Sequence, residues 1–183
     1  MAGKKYASDY RMEETILPGG KKKSHRVYQG VYYQFSNPPE ELRRLRLELL
    51  IGSVLIAALL LPLLFANTTL ARTIYVALPC VVALAPSYLL FAVGLRLAKP
   101  ERQLTREDRD KTDQRLRGAG LMLPIFLGIS CLGCALHAFL DGIAGGEIPT
   151  VICIAAAWVI SMYLLTRRKK AECVPIEEAK DET

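Results

Sequence analysis

Residues 47–66 read LELLIGSVLIAALLLPLLFA, twenty residues with Glu48 as the only charge. At about 1.5 Å of rise per residue, about 20 residues cross the ~30 Å hydrocarbon of a bilayer as a helix. Three more runs of this kind follow at 73–97, 118–140 and 148–166. The chain therefore reads as an all-α membrane protein whose four transmembrane helices form an antiparallel bundle. About half of the 183 residues lie in these runs, which leaves too little for a sizeable water-soluble core.

The basic residues set the expected orientation. Of the 24 Lys and Arg, ten precede the first run, eight lie from Arg96 to Arg117 and five from Arg167 onward, which leaves Arg72 alone on the other side. Short loops rich in Lys and Arg stay in the cytoplasm, so four crossings place both termini there, in a cell-membrane protein. The division that follows is a short, partly disordered cytoplasmic N-terminal segment (1–37), a transmembrane unit (38–166) with a cytoplasmic helical loop (98–117), and a cytoplasmic tail (167–183). The net charge of +6 then reflects attraction to anionic lipid on the cytoplasmic face, and no nucleic-acid partner is expected. Ahead of the first run there is no short apolar core with a cleavage site, so the first span acts as the insertion signal.

Pro18-Gly19-Gly20 and the three lysines after them read as a mobile, solvated stretch. The aromatic strip from Val27 to Phe35 suits a short strand or turn at the membrane surface, as an interfacial anchor or a strip for a cytoplasmic partner. Ser36 or Asn37 can cap a helix over 38–66, with Pro38 and Pro39 in its first turn and Glu40 and Glu41 at its positive dipole end. Arg43, Arg44 and Arg46 at its start, and Arg167, Arg168, Lys169 and Lys170 after the last span, are placed to contact lipid headgroups. Pro79 and Pro86 predict bends in the second span, with milder irregularity at Pro62 and Pro124. Thr105-Arg106-Glu107-Asp108 resembles a capping box, and the pairs Glu107–Lys111 and Asp113–Arg117 are spaced for helical contact. The helix they start can run into the third span or break at Gly118 and Gly120. Gly52, Ser53, Ala57 and Ala58 in the first span, and Gly128, Gly133 and Ala135 in the third, permit close helix approach.

One constellation could carry chemistry. Cys131, Cys134, His137 and Asp141 share one helical face, and thiolate, imidazole and carboxylate all ligate metals. Deprotonated thiols are costly at mid-bilayer, and the cysteines lie too deep for exchange with outer-surface thiols, so packing is the preferred reading and no metal or cofactor is expected. Four of the five cysteines lie within spans and Cys173 in the tail, which argues against a disulfide framework. His137 and Asp141 near the outer end form a candidate ligand or proton site open to water. Glu48 is placed to pair with Arg44, Arg96 or Arg167, and Trp158 to pack against the bundle at mid-span. No Walker loop, zinc-protease helix, serine elbow or kinase signature is present. The expectation is a non-enzymatic anchoring, accessory or regulatory subunit acting through a protein partner or as a homo-oligomer. The alternative is a small oligomeric transporter or channel with a His137/Asp141 outer vestibule.

Overall fold

The computed structural model describes residues 6–16, 22–35, 38–97, 104–167 and 173–176. In chain order its helices are α1 (Pro39–Leu60), the one-turn α2 (Thr69–Arg72), α3 (Ile74–Arg96), α4 (Arg106–Leu140) and α5 (Ile148–Arg167). Four of these, α1, α3, α4 and α5, are long and apolar enough to cross a membrane. They pack as an antiparallel ring in which α1 touches α3 and α5, while α4 touches the same two from the other side.

Lipid rewards helix association less than water does, so the contacts must come from close fit. A glycine marks each of the four seams. A Cβ built on Gly94 of α3 would sit 3.0 Å from Leu50 of α1, and one on Gly133 of α4 would sit 2.9 Å from the Tyr75 carbonyl of α3. Gly52 of α1 meets Leu164 of α5, and Gly128 of α4 meets the Trp158 indole of α5. Small polar side chains tie two of the seams. Ser87 Oγ donates to the Ser53 carbonyl at 3.2 Å between α3 and α1. Cys80 Sγ donates to Ser130 Oγ at 3.3 Å, and that hydroxyl donates to the Val76 carbonyl at 3.2 Å, between α3 and α4. Each spanning helix keeps an apolar outer face, such as Ile51, Val54 and Leu55 on α1, toward the surroundings.

The first span departs from expectation at both ends. The first helix stops at Leu60 instead of running to residue 66, because Pro62 has no N–H to continue the ladder, and a 3-10 turn, Pro62–Phe65, takes over. Its N-cap is Pro38, with no side-chain cap, and Pro39 occupies the first turn; Ser36 and Asn37 lie outside the described residues. α3 remains one helix through Pro79 and Pro86. α4 is a single 35-residue helix unbroken at Gly118 or Gly120. At about 1.5 Å per residue it is about 52 Å long, so its polar first turns stand clear of the hydrocarbon. Thr105 caps it, its Oγ1 accepting from Asp108 N at 3.2 Å, and the Glu107–Lys111 and Asp113–Arg117 pairs both form.

The N-terminal segment departs most from expectation. Within the segment read as partly disordered an antiparallel pair forms, β1 (Tyr10–Ile16) with β2 (Lys22–Tyr28), in register from Tyr10 opposite Tyr28 to Ile16 opposite Lys22, so that Lys22 and Lys23, read as mobile, lie in a strand. Pro18-Gly19-Gly20 lies outside the described residues. The Tyr10 and Tyr28 rings meet edge to face with centroids 5.2 Å apart, a packing gain that polar strands otherwise lack. β3 (Tyr33–Phe35) pairs antiparallel with β4 (Cys173–Pro175) from the far end of the chain.

Two substitutions separate glycines at seams from glycines outside them. Gly133→Ala forces a methyl group against backbone and is expected to cost about 1–3 kcal/mol. Gly118, with nothing within 4 Å of its built Cβ, tolerates alanine or gains up to about 1 kcal/mol in helix propensity. Thermal unfolding of the detergent-solubilised protein measures both.

Candidate functional site

The two ends of the bundle differ in chemistry. At the end opposite the basic segments, His137 occupies the last turn of α4 with its side chain only 4 % exposed, so it is not open to water as expected. Its ring lies between two carboxylates. Nδ1 is 3.1 Å from Asp141 Oδ2, one helical turn on, but is not aligned for a hydrogen bond and has no other partner. Nε2 is 3.5 Å from Glu147 Oε1. Asp141 is 63 % exposed at its side chain, and Glu147 only 6 %.

Glu147 is the residue that sequence reasoning missed. It closes the 3-10 turn Gly145–Glu147 just before α5. Its Oε1 accepts from the Leu70 backbone N–H at 2.9 Å, a free donor of the first turn of α2, and its Oε2 accepts from Ala144 N at 3.1 Å. One buried carboxylate thus joins the α1–α3 connection, the α4–α5 connection and the end of α4. A buried charge persists where several donors converge on it, and here two backbone N–H groups do so, with the imidazole of His137 3.5 Å away. An acid three residues past a loop alanine and one residue before an apolar run was the available signal, since carboxylates favour free N–H groups at helix starts. The partner Leu70, 77 positions away, had no signal.

Cys134 is buried and Cys131 half-buried on α4, and both are free thiols. Cys134 belongs to the apolar core, where Cys80 of α3 also lies. Among the described residues no group of three or more His, Cys, Asp or Glu converges in a way that could hold a metal ion.

At the basic end, Glu48 gathers cations and a hydroxyl. Arg167 reaches it through Nε at 2.7 Å and Nη2 at 2.5 Å, Arg44 Nε at 3.2 Å, and the Tyr163 hydroxyl at 3.1 Å. Arg167 is therefore closed onto a carboxylate that links α1 to α5, with its side chain 19 % exposed, where a headgroup contact was expected. Arg43 and Arg44 are exposed, and Arg46 is half-buried with its Nε lacking a hydrogen-bond partner. Arg168, Lys169 and Lys170 lie outside the described residues.

The aromatic strip serves contacts within the chain. Tyr33 exchanges two backbone hydrogen bonds with Leu104, both 2.9 Å, and its ring carries the Arg109 guanidinium at 4.4 Å. The Tyr28 hydroxyl accepts from Arg106 N at 3.0 Å and donates to the Val31 carbonyl at 3.1 Å. Burial pushes that hydroxyl's pKa up from its ordinary value. Tyr6 donates to Asp110 at 2.9 Å.

Glu147→Ala leaves the Leu70 and Ala144 backbone donors without their acceptor, and is expected to lower the unfolding midpoint in detergent by several degrees. Asp141→Asn, at an exposed carboxylate, should leave it nearly unchanged. Comparison with protein-family models, curated proteins and solved structures finds no match to this chain.

Proposed function

We propose that this chain is a non-enzymatic, multi-pass protein of the cell membrane, with both termini in the cytoplasm, that anchors or regulates a protein partner at its basic end. The observation that carries this reading is the assembly of distant segments there. The β1–β2 pair, β3, the polar start of α4 and β4 meet at one end through backbone hydrogen bonds and tyrosine contacts. Among the described residues, β1, β2 and β4 each pair with one strand only, so each has an unpaired edge. Such edges are templates for an added strand, and an isolated two-stranded sheet is marginal in water without further packing.

A second reading has its own support. His137, buried between two carboxylates with Nδ1 unpartnered, is the arrangement a proton or cation path at an outer vestibule would use. Under that reading His137→Gln and Asp141→Asn abolish proton flux in proteoliposomes, and unchanged flux removes it.

The first reading is tested at Gly30, where an added Cβ would lie 2.5 Å from the Tyr28 hydroxyl and displace it from α4. Purification in mild detergent is expected to yield a stoichiometric protein partner that Gly30→Ala or Tyr33→Ala loses while the unfolding midpoint of the bundle stays put. A wild-type chain that elutes alone, or variants that retain the partner, would contradict it. A tag placed after Thr183 is expected to be shielded from reagents outside intact cells.

A further inference from the structure

Two acceptors flank one buried ring at the end of the bundle opposite the basic segments. Asp141 Oδ2 lies 3.1 Å from Nδ1 of His137, and Glu147 Oε1 lies 3.5 Å from Nε2. An ionised carboxylate only accepts hydrogen bonds and a neutral imidazole carries a single N–H, so whichever nitrogen holds the proton, the other turns a lone pair toward an acid. Nδ1 is without a hydrogen-bond partner, and the Nε2 approach is longer than a closed N–H···O bond. Two carboxylates are in place, and neither is joined to the ring.

The surroundings offer the ring no other ionic partner. α4 has no acidic or basic residue between Arg117 and His137, and α3 and α5 have none before Arg96 and Arg167, at the opposite end. α3 brings Tyr75 to this level, its ring 3.1 Å from a Cβ built on Gly133, one turn before His137. Arg72 of α2 is exposed and held on Asn67 Oδ1 at 2.6 Å. Glu147 is fixed as an acceptor by the Leu70 and Ala144 N–H groups, whereas Asp141, 63 % exposed, is open to water. α4 ends at Leu140, three residues after His137, where free helix carbonyls favour a positive charge.

We propose that this site is a proton-operated clamp. Asp141 relays a proton from water to Nδ1, the imidazolium donates from Nδ1 to Asp141 and from Nε2 to Glu147, and the added proton stays on the ring. The end of α4 is thereby tied through Glu147 to the α2 turn and to the turn before α5, so both connections at this end are held more firmly in acid than near neutrality. The tie is lost as the pH rises and the ring gives up its second N–H. The clamp uses only contacts within the chain and holds under either functional reading.

The unfolding midpoint of the detergent-solubilised protein, followed between about pH 8 and about pH 5, covers the range in which histidine changes charge. Relative to His137→Gln at each pH, the wild type is expected to gain about 3 °C toward the acid end. Asp141→Asn, which leaves the midpoint nearly unchanged near neutrality, is expected to remove most of that gain, and His25→Gln, at the other histidine of the chain, to keep it. Equal acid responses in the wild type and His137→Gln overturn the proposal. So does a full acid gain in Asp141→Asn, a comparison that stands even if His137→Gln fails to fold.

Discussion

The bundle depends on backbone approaching backbone. Apolar side chains gain little by leaving lipid for one another, so the helices cohere where dispersion contacts are closest and where a polar group trades lipid for a hydrogen bond. Glycine at each of the four seams permits the first, and Ser53, Ser87, Ser130 and Cys80 supply the second. α3 and α4 share the most extensive contact. That seam combines the tightest glycine, against the Tyr75 carbonyl, with a sulfhydryl-to-hydroxyl-to-carbonyl chain at the same level.

Charge is confined to the ends, and at each end a carboxylate fastens neighbouring elements. Glu48 joins α1 to α5 through Arg167, and Glu147 joins both connections at the other end through backbone donors. The two clamps differ physically. Glu48 is answered by side chains, Arg167 through two nitrogens, Arg44 and the Tyr163 hydroxyl, which must be held in place to reach it. Glu147 is answered by N–H groups fixed in the backbone, which hold their geometry without losing side-chain freedom.

Hydropathy was enough to read four spans and their antiparallel order, and helical spacing the Glu48–Arg44 pair; Arg167, one of the two cations offered beside it from other helix ends, also closes onto Glu48. The small residues chosen for close approach included Gly52, Gly128 and Gly133, all of which lie at seams. What escaped was non-local. β3 finds its partner in residues 173–175, Tyr33 bonds to Leu104, and Glu147 bonds to Leu70. A three-residue strand carries almost no local signal, and nothing about an acid in a glycine-rich loop names an acceptor role across 77 positions. His137 was read as water-exposed because its position near a helix end was legible while the carboxylate folding over it was not.

The α4–α5 seam differs from the other three in the atom that answers its glycine. Gly52 and Gly94 are filled by branched leucine side chains and Gly133 by backbone, whereas Gly128 meets only the indole edge of Trp158. A flat ring standing at a seam holds the helices apart on its outer side and leaves a trough. In water such an apolar trough would be a liability. In a bilayer hydrocarbon chains fill it at little cost, so packing is demanded strictly where protein faces protein and loosely where it faces lipid.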